Sequence, residues 1–504
     1  MSLKILFWLG NDLTYFMLAY LLKQKLDCKI YAIIDVGENP KDFFLNQKLV
    51  DFEKVWFFHD NISDPKSKKP DLDYLENIEQ RYEINFWKLA INERTFYRFF
   101  DFHKFTDDEI LSIEEQSCKL FEQVLTESKP EFIISMDSRF HHLEIFQQMC
   151  QKLNLNLIIP SFPNVGYRVL LSKYFLIPDN IDELNETTIE KKNFSQLQEY
   201  LNNQNILEQR TKYDDTYGGN LINKINAGIE YFLISKNKTA KTHYNYYGRT
   251  KYKVLNDVVK TKLEVKKRKD FMDNNLLKEI PLNENFLYFP LNVELEKNML
   301  INSPLLNYQT EIIRYLAKAV PVNLKIYAKE HPGQLSRNWR SIDDYNEIKD
   351  IPNVKLFHPD VKSSEMIRQC DIVASIVGTP GFEAAVYEKP SIVFTKTYYS
   401  VLPSVTYVDE INNLNEIIRK SLKIKVNADD VNRYLTFFHN NTFSFDWDNF
   451  VTTYQKAFYL SGNLVDVQIS EQKMKNFIEE NRDQLDILVN EFVKKINSSS
   501  PNSV

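Results

Sequence analysis

Apolar and polar residues alternate in blocks along the first part of the chain. Leu3–Leu9 is almost continuously apolar, Leu13–Lys25 carries its apolar residues at helical spacing, and Lys29–Asp35 is again an apolar run. This order predicts a strand, a helix and a second strand, with the strands parallel, buried and joined by a right-handed crossover. Gly10-Asn11-Asp12 interrupts the first run, and no small-residue cleavage site follows. The N-terminus therefore reads as a strand and turn rather than a leader or a membrane span. The turn lacks Gly-x-Gly-x-x-Gly, so no dinucleotide is inferred.

The pattern loosens over 36–75, which reads as loop with a short strand at Val55–Phe58, and over the aromatic, irregular stretch 84–105. It tightens again into a helix at Asp108–Glu127, a strand at Glu131–Met136, a helix opened by His141 and His142, and a strand at Asn156–Pro160. Residues 181–280 read as a helical, basic linker. Its helices are expected at Gln196–Leu207 and Leu221–Lys236, around a polar turn at Asp214–Gly219, and 236–269 is rich in lysine and tyrosine. A second series of strands is expected at 286–290, 323–328, 353–357, 371–376 and 391–395, with helices between them. Residues 426–460 read as helical and aromatic, 471–496 as a charged helix and 497–504 as disordered. The fold class expected is α/β, with Rossmann-like domains at 1–180 and 281–425, the linker between them, and C-terminal helices over 426–504.

Composition narrows the function classes. At 504 residues, with 43% hydrophobic and 26% charged positions, the chain is an ordinary globular protein of two or three domains. A net charge of −6 argues against nucleic acid as a partner. Cys28, Cys118, Cys150 and Cys370 lie far apart with no Cys-x-x-Cys pair, which fits a reducing, cytoplasmic setting and argues against a zinc site.

Candidate chemistry gathers at predicted strand ends. Lys329-Glu330-His331-Pro332-Gly333 stops the strand that ends in Ala328, placing His331 and Lys329 at a carboxyl edge, where open α/β sheets bind ligands. Ser375-Ile376-Val377-Gly378-Thr379-Pro380-Gly381-Phe382-Glu383 turns another strand into a helix. With only 11 glycines in the chain, two in one tetrapeptide point to a loop with a purpose. A helix start there suits an anion, Thr379 adds a hydroxyl, and Glu383 lies where a carboxylate meets ribose hydroxyls. Asp12 ends the first strand as a base or a helix cap. Asp137, Arg139, His141, His142 and Glu144 cluster at one strand–helix junction, either as an acceptor site or as a cap with solvated histidines. The basic stretch 236–269 is either a solvated helix face or a contact for anionic lipid head groups.

Phe286–Glu296, Pro321, Lys-Glu-His-Pro, Gly-Thr-Pro-Gly-Phe-Glu-Ala and Glu-Lys-Pro, in this order, resemble the capsular polysaccharide biosynthesis family over roughly 280–410, and more loosely over 85–175. That family is similar to GT-B glycosyltransferases, including transferases of Kdo and sialic acid. One position differs: Leu291-Asn292-Val293-Glu294-Leu295-Glu296 stands where the family often has Leu-His-x-x-Pro-Glu. The resemblance implies two Rossmann-like domains facing across a cleft, and a CMP-sugar whose phosphate meets the His-Pro motif and whose nucleotide lies on the Ser/Thr–Gly loop. A loop at 162–168 resembles the family's, and its Arg168 is a candidate for an anionic sugar or a surface charge.

The expected activity is transfer of a sugar from a nucleotide-sugar, CMP first and UDP second, to a glycan or lipid-linked acceptor. Lys329, His331, Pro332, Ser375, Gly378, Thr379, Gly381 and Glu383 would hold the donor, and Arg139, Arg168 and Glu296 the other substrate groups. Asp137 is the first choice of base and Asp12 the second. No cofactor and no metal is expected, the nucleotide-sugar being a co-substrate, and no Asp-x-Asp motif stands between two strands. The localisation expected is cytoplasmic, with peripheral membrane contact through 236–269. A sugar-nucleotide epimerase, a CDP-alcohol phosphotransferase and a non-catalytic assembly subunit remain as alternatives.

Overall fold

The computed structural model describes residues 2–97, 101–163, 165–203, 229, 243–294, 296–336, 340–458 and 469–499. The helix expected at Leu221–Lys236, the turn at Asp214–Gly219, and parts of Gln196–Leu207 and 236–269 lie outside these residues. The chain forms two compact units. One comprises 1–179, 205–251 and 441–504, and the other 180–204 and 252–440.

The first unit is built on a seven-stranded sheet. Its strands are β1 (Leu3–Leu9), β2 (Cys28–Ile34), β3 (Phe52–Phe57), β4 (Phe132–Ile134), β5 (Asn156–Ser161), β6 (Arg168–Ser172) and β13 (Phe443–Ser444), in the order β13-β6-β5-β4-β1-β2-β3. β1 to β5 pair in parallel, while β6 runs antiparallel to β5 and β13 antiparallel to β6. Strand alternation sorts the core between the two faces. Phe7 and Leu9 pack with Phe16 and with Leu488 and Phe492 of the C-terminal helix Arg482–Ser499. Leu6 and Trp8 pack with Phe121 and Phe146 from the helices Asp107–Ser128 and His141–Lys152.

The second unit has a six-stranded, all-parallel sheet. Its strands are β7 (Phe286–Pro290), β8 (Lys325–Lys329), β9 (Val354–Phe357), β10 (Ile372–Ser375), β11 (Ser391–Val393) and β12 (Val405–Tyr407), in the order β12-β11-β10-β7-β8-β9. Leu287, Phe289 and Ile326 face one layer with Ile313 and Leu316, and Tyr288 and Tyr327 face the other with Met366 and Ala384. Both units are therefore α/β with helices on both faces of the sheet, which is all parallel in the second unit and parallel except for β6 and β13 in the first.

Several local expectations change. Leu72–Tyr82 is a helix that starts inside the 36–75 stretch read as loop, and Phe86–Asn92 one inside the irregular stretch 84–105. Asp71 and Asn85 start them, each accepting from a backbone N–H three residues on. The antiparallel β6 follows the expected 162–168 loop and shares only Arg168 with it. The charged C-terminal helix is two helices, Glu471–Glu480 and Arg482–Ser499, and the second runs past the expected break at 497 with Ile496 in the core. All four cysteines are buried and unpaired. Among the described residues no helix is long and apolar enough to cross a membrane.

Candidate functional site

In each sheet the strand order reverses beside its first strand, and open α/β sheets place ligands outside the carboxyl ends at such a switch point. In the second unit the reversal lies between β7 and β10. The chain leaving β7 carries Asn292, the chain leaving β10 carries Gly378 and Thr379, and β8, on the other side of β7, delivers Lys329 and His331. The structure thus brings the two predicted motifs to one edge of one sheet.

A buried network fixes the loop that carries His331. Glu330, fully buried, accepts from the backbone N–H of His331 at 2.6 Å, from Arg340 Nε at 2.9 Å and from the Tyr345 hydroxyl at 2.7 Å. Arg340 is itself buried. It also reaches Glu294 Oε1 at 3.0 Å and donates from Nη2 to the carbonyl of Asn292 at 3.2 Å. Burial works against its charge, but Glu330 and Glu294 outweigh that and hold the guanidinium protonated. One arginine therefore staples the loop after β7 to the loop after β8. Gln309 adds a second tie, accepting from Asn292 N at 2.6 Å and donating to its carbonyl at 2.9 Å.

The groups on this frame have defined states. His331 Nδ1 accepts from Gly333 N at 3.0 Å, which puts the neutral ring's proton on Nε2. Lys329 is buried, and its Nζ donates to the carbonyl of Glu330 at 3.3 Å. Burial lowers its pKa to about 8, against the opposing pull of Glu330, Asp360 and Glu383. The Asn292 backbone is fully engaged, yet its buried side-chain Nδ2 has no partner among the described residues.

The glycine loop is shaped by packing. Gly378 has φ +114°, open to glycine at little cost, and an added Cβ there would sit 3.6 Å from Asn292 Oδ1. At Gly381 an added Cβ would come within 2.8 Å of the Tyr399 ring, whose hydroxyl donates to the Gly378 carbonyl. The helix that follows is short, Pro380–Val386, and the N–H groups of Phe382 and Glu383 both bond to Thr379 O. Thr379 Oγ1 donates to Glu383 Oε1 at 2.6 Å. Burial raises the Glu383 carboxyl, opposed by that bond and by Lys329. Ser375 is buried, its hydroxyl turned to Val377 O. Pro332 is exposed, as is Glu296, at the start of the helix Lys297–Leu300.

In the first unit the switch point lies between β1 and β4, which bring Asp12 and Asp137 to the carboxyl edge. Burial raises the Tyr15 hydroxyl, Asp12 and Asp137 add to that, and Arg139 opposes them. Both Asp12 oxygens are engaged: Oδ1 accepts from Thr14 N at the helix start at 3.0 Å, and Oδ2 from Trp447 Nε1 at 3.0 Å. Asp137 is half-buried and Arg139 exposed. Arg168 opens β6, which runs antiparallel to β5. Its guanidinium donates to Thr442 Oγ1 at 2.6 Å and to Thr442 O, tying β13 to β6.

His141 and His142 are neither solvated nor open to an acceptor. They belong to a buried chain of hydrogen bonds: His59 to Asp35 (3.1 Å), Asp35 to His142 (2.9 Å), His142 to the Tyr244 hydroxyl (3.1 Å), Tyr244 to His141 (2.9 Å) and His141 to Glu114 (3.0 Å). Burial pushes the Asp35 carboxyl up, but His142 and His59 outweigh it and hold it well below the usual range. Burial lowers His141 to about 4 and raises Glu114 to about 8, so the pair is neutral at pH 7. Glu144 accepts from the Ser138 hydroxyl at the same junction.

Comparison with known proteins finds one family model that matches part of the chain. No curated protein sequence matches the chain. Among solved structures, the UDP-GlcNAc 2-epimerase of Methanocaldococcus jannaschii matches at 12% identity, with 87% of this chain and 100% of that chain covered and a TM-score of 0.24. The KpsC β-Kdo 2,7 transferase of Thermosulfurimonas dismutans matches at 12% identity, with 70% and 87% covered and a TM-score of 0.30. Scores this low support no functional assignment. The family model described as capsule polysaccharide biosynthesis protein matches residues 190–423, a span that contains Asn292, Arg340 and both motifs. Over that span the chain is similar to the capsule polysaccharide biosynthesis protein family.

Proposed function

We propose that this chain is a glycosyltransferase of capsule or surface polysaccharide synthesis, taking a sugar from a nucleotide-sugar, CMP-linked first and UDP-linked second. The observation that carries the reading is the meeting of Asn292, His331, Lys329 and the Gly378-Thr379 loop at one carboxyl edge, inside the family-matched span. Breaking the bond between sugar and nucleotide leaves negative charge on phosphate oxygens, and preset donors stabilise it. Lys329 supplies positive charge, His331 its Nε2–H and Asn292 its amide, and Thr379 joins them when its hydroxyl turns from Glu383 to the phosphate. Glu383 is assigned to the ribose. With protein groups meeting the phosphate charge, transfer requires no metal, and a chelator should leave turnover unchanged.

The acceptor, a glycan or a lipid-linked sugar, is assigned to the carboxyl edge of the first unit. Asp137 is the base that takes the proton of the attacking hydroxyl, with Arg139 beside it. The reaction is placed in the cytoplasm.

Thermal unfolding with CMP, CDP, UDP and GDP tests the donor site, because a ligand held by the native state raises apparent stability by mass action. CMP or a CMP-sugar should raise the melting temperature most. No shift with any of the four would overturn the reading.

A further inference from the structure

The helix Lys251–Asn275 runs for 25 residues, and among its residues only Arg268 and Met272 are buried. Tyr252, Leu255, Val259 and Leu263 are 79%, 47%, 51% and 66% exposed. Their spacing of three, four and four residues aligns them in one stripe along the helix. Between 251 and 268 the chain has seven basic residues and two acidic ones, in a protein whose overall charge is negative. At 100° per residue, Lys262 and Lys266 fall within or beside the stripe on one flank, and Lys260 and Lys267 on the other.

An apolar stripe lined by lysines has few matching partners. A nucleic acid would meet the lysines but leave the stripe in water. A second copy of the helix would cover the stripe but bring the two sets of lysines together. An anionic lipid surface answers both features: aliphatic and tyrosine side chains enter the headgroup boundary, while lysine stems lie along it with their ammonium groups at the phosphates. We propose that the Tyr252–Leu263 face of this helix docks on an anionic membrane surface. The inference goes beyond the transferase reading, and either one stands if the other fails.

The test is co-flotation of the full chain with vesicles, either of phosphatidylcholine alone or of phosphatidylcholine mixed with phosphatidylglycerol. Binding is expected to the anionic vesicles only, weakening as salt is raised. The double variant Leu255→Glu/Leu263→Glu should lose binding at least tenfold, and Lys262→Glu/Lys266→Glu should do the same. All four positions lie outside the core, so melting temperature and its response to nucleotide should stay as in the parent. The proposal is overturned if the parent ignores anionic vesicles, or if the Leu255/Leu263 variant floats as well as the parent. It is also overturned if the parent is a dimer that the same variant splits while vesicle binding is unchanged, which would make a second copy the occupant.

Discussion

Glu330 and His331 are neighbours in sequence, and the first holds the second: the Glu330 carboxylate accepts the His331 backbone N–H at 2.6 Å while Arg340 and Tyr345 fix its other oxygen. The histidine is thus placed by groups that stay inside the protein, and its ring is left to the sheet's edge.

His331→Ala should therefore abolish sugar transfer with little loss of stability, since the ring is not part of the core. Turnover with a CMP-sugar and a melting curve measured side by side check this. A large drop in melting temperature with nucleotide binding retained would make the ring structural.

Arg340→Ala should be far more damaging to the fold. It leaves Glu330 and Glu294 buried without their cation, a situation that costs about 3–5 kcal/mol. Urea unfolding measures it, and a loss below about 1 kcal/mol would show that the staple is dispensable.

Asn292→Asp replaces an amide donor by a carboxylate at nearly constant shape. If that amide faces the nucleotide phosphate, affinity should fall roughly tenfold or more, the worth of a hydrogen bond to a charged group. Asn292→His should be tolerated better. Calorimetric titration with CMP decides, and unchanged affinity in the Asp variant would remove Asn292 from the donor site.

Lys329, with its pKa near 8, gives a pH signature. Its ammonium is mostly present at pH 7 and mostly lost at pH 9, so nucleotide affinity should weaken through that interval. Stability moves the other way. Between about 8 and 10.5 the unfolded chain holds a proton that the folded chain has released, so this group's contribution to stability rises with pH. Affinity flat from pH 7 to 9 would mean that Lys329 does not meet the ligand's charge.

Asp137→Asn should preserve nucleotide binding and lower turnover by roughly 10²-fold or more. Asp12→Asn is the comparison. Its Oδ1 accepts from Thr14 N at the helix start, a bond an asparagine still makes, so transfer should be close to normal. The reverse outcome would move the base from β4 to β1.

The strands and both motifs were legible because they rest on local pattern: apolar runs for buried parallel strands, then Pro-Gly and Gly-Thr-Pro-Gly at their ends. What local pattern does not carry is partnership across the chain. His141 and His142 read as solvated or as an acceptor site because their partners Glu114, Asp35 and Tyr244 lie 27, 107 and 102 residues away. Gly381 read as a phosphate glycine, while the ring that requires its smallness is Tyr399. Arg168 read as either a sugar contact or a surface charge, and the partner it has in the structure, Thr442, lies 274 residues on. The helices Leu72–Tyr82 and Phe86–Asn92 were missed for another reason: each is short, and the polar residues around them resemble loop.

The chain of His59, Asp35, His142, Tyr244, His141 and Glu114 also decides what can be learned chemically about His331. The protein has eight histidines. His59, His141, His142, His243 and His358 are each at least nine-tenths buried, and burial holds His141 and His243 unprotonated down to about pH 4. A histidine-selective acylating reagent near neutral pH will therefore be answered first by His103, His331 and His439. Protection of one of those three by a nucleotide would assign the phosphate-facing ring on the unmodified protein, before any variant is made.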